Sequence, residues 1–471
     1  MKKWHTLCIV IVLVAAMPLI SHAQGSKKLR VLVTTDIEAD PDDSESLVRF
    51  LTYSNQWDVE GLIATTSIHQ KTRVAPESIL AILEAYKKVQ PNLLKHEKGF
   101  PSFLKLQGKV KQGLPVYGMD GVGKGHDSQG SEWIVKVLEK PDDRPLWVCV
   151  WGGTNCLAQA LWKIKETVPA EKAANLYKKL RIYTISDQDD SGPWIRNTFP
   201  GLFFICSPGY GYGNATWRGI SFAMPGSNKD VVSNDWIAAN IQQGHGPLGA
   251  VYPDVAYGME GDTPSFLGLI SNGLNDPEHP DYGGWGGRYN YYTPPLSTEP
   301  DLIKSPGWPV ALPEKGPLWT NAEDSVCSTI DKAWHKNEQA TIWRWREEYQ
   351  NDFAARMAWT TKPYNQANHP PVVKLGHPDH FTVKSGQRFH LSAKGSFDPD
   401  GDSLSYLWFQ YPEAGTYKIL YFTPYAANLY DEQVTAPVVS SPQTIHFILK
   451  VTDKGTPRLT RYKRVIVTVV P

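Results

Sequence analysis

The sequence predicts an α/β fold, a doubly wound and mostly parallel sheet, followed by a separate all-β sandwich. Two observations carry this. From about residue 28 to 206, short apolar runs alternate with segments of helical period, as strands and helices do in a parallel sheet covered on both faces. From about residue 369, alternating apolar residues broken by turn signals take over, as in "RFHLSAKGSFDPDGDSLSYLWF".

The elements follow in order. "LRVLVTT" reads as a strand, and "DDSESLVRFLTY" as a helix with Leu47, Phe50 and Leu51 on one face. "DVEGLIATT" is a second strand. "PESILAILEAYKKV" is a helix with Pro76 in its first turn and Ile79, Ile82, Leu83 and Tyr86 on its buried side. "LWVCVWGG", "TNCLAQALWKI" and "LRIYTIS" continue as strand, helix and strand, and "GLFFIC" adds another strand. From about Ser207 to Trp359, Gly, Pro, Trp and Tyr are frequent, as in "DPEHPDYGGWGGRYNYYTPP". Long irregular stretches of this kind build the mouth of a site. "ATIWRWREEYQNDFAARMAW" predicts a helix and "TKPYNQANHPPVV" a linker. The chain thus divides into a leader at 1–23, an α/β domain at 28–362 and a β module at 369–471.

At 471 residues the chain exceeds one ordinary domain, and 41% apolar residues suffice for a core. Lys+Arg and Asp+Glu both number 48, which argues against nucleic acid or an anionic membrane as main partner. Mean hydropathy is -0.36, and no interior stretch is apolar over a bilayer's thickness. The opening "MKKWHTLCIVIVLVAAMPLISHA" has a basic start, an apolar middle and small residues at Ser21 and Ala23. It predicts a secretory signal peptide cut after Ala23, and so export to the periplasm or beyond the cell. Cys149, Cys156, Cys206 and Cys327 are too sparse for a disulfide scaffold. Cys149 and Cys156 can pair after export, but their apolar surroundings read as core.

The chemistry concentrates where the first strand ends. In "VLVTTDIEADPDD", Asp36, Glu38, Asp40, Asp42 and Asp43 crowd together, and such acids repel one another unless a positive charge joins them. Sites in open α/β sheets lie beyond the carboxyl ends of the strands, which is where Asp36 falls. Asp42 and Asp43 open the next helix, where its dipole favours carboxylates. Hard oxygens of this kind suit calcium, or magnesium with fewer protein ligands; without a His/Cys cluster, zinc is disfavoured. Polar residues end other strands too: Thr65, Thr66 and His69 in "IATTSIHQ", the Gly pair of "VWGGTN", and the acids of "ISDQDDSG".

"DIEADPDD" resembles the signature of nucleoside hydrolases, an Asp-x-Asp-Pro-Gly-x-Asp-Asp run at the end of the first strand. Asp36, Asp42 and Asp43 match it, and Glu38 stands where the family has the aspartate that binds calcium and activates water. "GLIATTSIHQ" resembles the family's second strand. "VCVWGGTNCLAQAL" resembles the segment whose carbonyl before Gly-Gly binds calcium, here that of Trp151, and "YGMEGDTPSFL" offers Asp262 as the late metal ligand. The resemblance spans residues from about 29 to 270. More closely, the chain is similar to secreted nucleoside-hydrolase-like proteins labelled cellulose-binding, which carry a C-terminal β module.

That resemblance implies a calcium-dependent hydrolase of N- or O-glycosidic bonds acting on a sugar-containing small molecule or polysaccharide. Asp36, Glu38, Asp43, the Trp151 carbonyl and Asp262 would hold the metal, with Glu38 or Asp42 as the base. His69, Asp187, Asp189, Asn197, Glu260 and Trp285 would bind substrate, and Glu260, His126 or His279 is a candidate leaving-group acid. Two departures stand out: Glu for Asp at position 38, and Gly261 where the family usually has a histidine before the late aspartate. They leave a second reading open, a non-catalytic carbohydrate-binding protein on the same scaffold. A phosphohydrolase fits less well, because the downstream Asp-Asp pair suits calcium better. The C-terminal module resembles cadherin-like and immunoglobulin-like sandwiches. Its Asp398, Asp400 and Asp402 lack the glutamate of an EF-hand, with Phe409 in that place, and read as an Asx-rich turn.

Overall fold

The computed structural model describes residues 28–209, 213–221, 223–296, 313–422 and 430–471. The predicted signal peptide lies outside these described residues. The strands β1 (Leu29–Thr35), β2 (Trp57–Ala64), β3 (Val110–Gln112), β4 (Leu146–Val150), β5 (Leu180–Ser186), β6 (Phe203–Ser207), β7 (Tyr289–Tyr292) and β8 (Leu318–Asn321) form one sheet, in the order β3-β2-β1-β4-β5-β6-β8-β7. All neighbours pair in parallel except β7, which runs against β8. The order grows outward in both directions from β1 and β4, so a crevice opens beyond their carboxyl ends.

Both faces of this sheet are covered, which is why the centre of β1, Val31 to Val33, and all of β4 read as unbroken apolar runs rather than alternating ones. One face packs against α1 (Asp42–Thr52) and α2 (Pro76–His96) through Leu47, Phe50, Leu51, Ile79, Leu83 and Tyr86. The other packs against α3 (Gln129–Leu138), α4 (Asn155–Thr167), α5 (Ala170–Lys178) and α6 (Ser191–Thr198) through residues such as Ile134, Leu157, Leu161, Leu176 and Ile195. Burying a side chain of that kind contributes roughly 1.5–3 kcal/mol, so each face is held by many additive contacts.

The stretch 340–359 is two helices, Ala340–Trp343 and Arg346–Ala358, rather than one. Tertiary contacts break it: Arg344 pairs with buried Asp324 at 2.9 Å, and Trp345 turns onto Tyr411 and Tyr462 at 6.1 and 5.7 Å between ring centroids. The expected linker is likewise packed rather than free. His369 is buried, its ring stacks on Trp359, and Asn368 accepts a hydrogen bond from the Trp359 indole through its backbone carbonyl.

The C-terminal strands form a four-stranded sheet, His380–Lys384, Thr460–Val470, Gln443–Asp453 and Leu404–Gln410 in spatial order, and a two-stranded one, Arg388–Ser392 with Asp431–Thr435. Their inner faces share a core that includes Leu391, Trp408, Phe447, Leu449 and Val467. Asp398 accepts from the backbone N–H of Asp400 and of Asp402, the expected Asx turn. Asp400 is spent on His369, which it meets at 3.0 Å. Among the described residues the four cysteines are free, and all but Cys327 are buried. No described helix is long and apolar enough to cross a membrane.

Candidate functional site

A pocket of about 60 Å³ lies at the carboxyl ends of β1, β4 and β5, lined by Asp36, Asp40, Asp42, Asp43, His69, Trp151, Gln188, Trp217 and Asp262 among others. Asp36 follows β1 directly, and Asp42 and Asp43 begin α1. Ligand oxygens of Asp40, Asp42 and Asp43 all lie within 4.8 Å of one another. Thr35 donates its hydroxyl to Asp43, and the Thr35 oxygen in turn accepts from the Ile37 backbone N–H at 3.1 Å. The strand end and the helix start are thereby tied together around the acids.

Two glycines permit the crowding. A Cβ on Gly152 would stand 2.5 Å from Asp36 Oδ1, and one on Gly261 would stand 2.5 Å from Asp42 Oδ2. Trp151 is placed by its backbone N–H, which donates to Thr34 at 2.8 Å, and by its indole, which donates to Ser265 at 2.9 Å. Ser265 then donates to the Asp262 carbonyl at 2.7 Å, so one chain of contacts links the Trp151 carbonyl to Asp262. Gln188 donates its side-chain amide to that same Trp151 carbonyl.

Among the described residues, no lysine or arginine pairs with Asp36, Asp40, Asp42, Asp43 or Asp262. Burial raises the carboxyl pKa of Asp36, and burial with repulsion from the neighbouring acids pushes Asp42, Asp43 and Asp262 well above the usual carboxylate range. One oxygen of Asp262 is buried without a hydrogen-bond partner. Acid crowding of this kind leaves an unmet demand for positive charge.

The structure brings Asp36, Asp42, Asp43, His69, Trp151 and Asp262 to one pocket, and it takes the other expected residues elsewhere. Glu38 has φ 83, a conformation rarely held by a non-glycine residue, and its carboxylate turns to Arg73 and Ser78. Glu260 is fully buried in an ion pair with Arg49 and also accepts from Tyr252 and Thr263, so it is not presented to a ligand. Asp187 is gripped by Arg196 at 2.8 and 2.9 Å. Asp189 is buried, accepting from Thr154, Ser191 and the Asn155 backbone, and so fastens the start of α4. Asn197 lies on α6, away from the pocket lining. Trp285, expected as a loop aromatic facing substrate, is fully buried with its indole donating to Tyr462 at 3.4 Å. His126 and His279 do not line the pocket either.

Besides Ile185 and Gly261, the lining contains three residues with polar or aromatic side chains that the sequence does not mark as site residues: Asp40, Gln188 and Trp217. Asp40 stands inside the acidic run, and its carboxylate accepts from the Asp42 backbone N–H at 3.1 Å. Gln188 sits within the "SDQDD" strand end, where a neutral amide among acids carries no distinguishing signal. Trp217 offers no local signal; its indole donates to Ser186 at 3.0 Å, which sets the ring against the pocket.

The fold and pocket define an α/β protein with an acid-lined cleft at its topological switch point. A family model described as the cellulose-binding Sde182, nucleoside hydrolase-like domain matches residues 30–289, and one for the Sde0182 C-terminal domain matches residues 388–469. The chain belongs to this family of nucleoside-hydrolase-like, cellulose-binding-labelled proteins. It is similar over 94% of its length to the structure of a nucleoside hydrolase-related hypothetical protein from Saccharophagus degradans, described as associated with carbohydrate metabolism. That match has 34% identity and a TM-score of 0.78, and it covers 100% of that chain. The effector XOO4466 matches at 9% identity and TM-score 0.36, over 72% of this chain and 95% of that one. None of the curated proteins compared with the chain matches it.

Proposed function

We propose that the protein is an exported, calcium-dependent hydrolase of N- or O-glycosidic bonds, acting on a sugar-containing small molecule or polysaccharide. The observation that supports this most is the convergence of Asp36, Asp40, Asp42, Asp43 and Asp262 on one pocket with no lysine or arginine paired to them among the described residues. The donor set fits a hard divalent cation: carboxylate oxygens, a backbone carbonyl, and a buried Asp262 oxygen without a partner. Asp36, Asp43, Asp262 and the Trp151 carbonyl would hold it, with Asp40 at hand. When bound, calcium supplies the positive charge that lets these acids ionise together and that polarises water and sugar hydroxyls.

The chain's own groups do the rest. Asp42, with Asp40 beside it, accepts the proton of an attacking water. Trp217 offers an aromatic face to a sugar ring, and His69 and Gln188 stand at the rim to hydrogen-bond hydroxyls. Glu38 serves as base or ligand only if it gives up Arg73 and Ser78.

That last contact favours a second reading, a carbohydrate-binding protein on the same scaffold. With Glu38 engaged elsewhere and Gly261 beside Asp262, the pocket can position sugar without turning it over. The cellulose-binding label of the family points the same way. Incubating the mature protein with calcium and a panel of nucleosides and β-glucans, and scoring both release and retention, separates the two. Release that disappears with chelator and in Asp43→Asn supports the hydrolase; retention with no release establishes the binder.

A further inference from the structure

A second feature lies on the other side of the sheet edge, around Trp133. A groove of about 570 Å³ is lined by Lys111 on the edge strand β3, by Gln129, Glu132, Trp133, Lys136 and Glu139 on or next to α3, and by α4. The Trp133 indole donates to the Glu60 carbonyl at 2.7 Å, which anchors one edge of the half-buried ring. Three ammonium groups crowd that ring: Lys111 at 4.6 Å, and Lys109 and Lys136 at 5.3 Å from its centre.

The positive charge here exceeds what the protein neutralises. Glu60 serves Arg30, Lys109 and Lys140, and of these three only Arg30 reaches a second carboxylate among the described residues, Asp142 at 3.6 Å. Among the described residues, Lys111 donates only to the Gly108 and Val110 carbonyls, at 2.8 and 2.9 Å, and Lys136 has no carboxylate partner. Burial and the neighbouring ammonium groups hold Lys109 and Lys111 below the usual lysine range, as crowded like charges require. The same groove also carries carboxylates. Glu132 is held by Lys163 at 2.8 Å and Glu139 by Lys172 at 3.0 Å.

We propose that this groove is a saccharide subsite for uronic-acid-bearing sugars, separate from the acidic pocket. As a sugar carboxylate draws the Lys111 and Lys136 ammonium groups off the Trp133 ring, it frees an aromatic face, fixed at one edge, for the C–H face of the pyranose. Lys111 and Lys136 meet the single carboxylate of that ring. Gln129, Glu132 and Glu139 meet its hydroxyls, the two acids as acceptors. A nucleic acid needs a far wider basic surface than two lysines, and the chain's balanced charge argues against one. A neutral glucan leaves the two lysines unmatched.

The test uses the full mature chain in chelator, which removes any contribution from the acidic pocket or from calcium bridging. Isothermal titration is run with an oligogalacturonate, a cello-oligosaccharide of equal length and an oligothymidylate. The expected result is binding of the oligogalacturonate that weakens with salt and falls at least about tenfold in Lys111→Gln/Lys136→Gln, with a smaller loss in Lys136→Gln alone. An unchanged thermal midpoint in the single variant shows that the fold is intact. Absence of oligogalacturonate binding, equal binding by wild type and both variants, or tighter binding of the cello-oligosaccharide or the oligothymidylate overturns the proposal.

Discussion

Gly152 and Asp36 show how closely the pocket is drawn together. A methyl group at position 152 cannot coexist with the present Asp36 carboxylate, 2.5 Å from where that carbon would stand. Gly152→Ala is therefore expected to displace Asp36 and to weaken calcium binding by at least about tenfold, since ligand geometry is disturbed while the apolar core is not. Calorimetric titration of the variant checks it, and unchanged affinity would show that Asp36 is not a ligand. The acids also set a pH dependence. Their folded pKa values lie above the unfolded value of 3.8, so their cost to the cation-free protein grows as pH rises through the raised values. A cation needs the ionised forms, so the rise in thermal midpoint on adding calcium is expected to be larger at pH 8 than at pH 5. Equal rises at both values would contradict this.

The helix α1 is the element on which the pocket depends. Its first turn supplies Asp42 and Asp43, and one and two turns on, Glu45 and Arg49 both hold Glu260: Glu45 accepts from its backbone N–H at 2.7 Å, and Arg49 pairs with its carboxylate. Glu260 has φ 50 and begins the turn that presents Asp262. Burial raises the Glu45 pKa to about 9, so it holds the turn as a neutral acid. Replacing Glu260 by Ala leaves Arg49 charged and unpaired in the interior. The expected cost is about 3–5 kcal/mol of stability, together with loss of calcium response as Asp262 moves, read by denaturant unfolding and calorimetry. This element also shows what the sequence can reveal. Asp36, Asp42, Asp43 and Asp262 are legible because acids that close a buried strand or open a helix have few structural reasons to be there. The burial of Glu260 is not, because its partner Arg49 is 211 positions away. Nor is the turning of Glu38, which depends on one positive φ, or the fate of Trp285, whose Gly-rich surroundings look like a loop until Tyr462 of the β module covers it.

The two parts of the chain are joined by a shared core rather than a tether. Trp285, Tyr411, Ile448 and Tyr462 belong to the same buried cluster as the helices α1 and α2, and Arg461 pairs with Asp352 across the junction. Alternating strands and helices reveal both architectures, but not this docking, which is made of aromatics scattered over distant segments. His446 lies in the junction, where its Nδ1 accepts from Arg464 at 3.1 Å and its ring meets Tyr282 edge-on. Burial, with the Arg464 charge, lowers its pKa to about 3 from 6.5, so the fold holds it neutral. The unfolded chain takes up a proton below 6.5 and the folded chain does not, so stability is lost as pH falls from 6.5 towards about 3. His446→Gln keeps an acceptor for Arg464 without a titrating group, and its thermal midpoint is expected to fall less than that of wild type between pH 6.5 and pH 4; parallel curves would exclude this role.

The central expectation is a divalent cation held by Asp36, Asp43 and Asp262 beside the Trp151 carbonyl. The most direct measurement is calcium titration of the chelated mature protein by calorimetry, with Asp43→Asn as control. The account predicts one saturable site per chain in the wild type, with a raised thermal midpoint, and neither in the variant. Heat and midpoint that stay flat on adding calcium to the wild type, or a variant that binds as tightly, would contradict it.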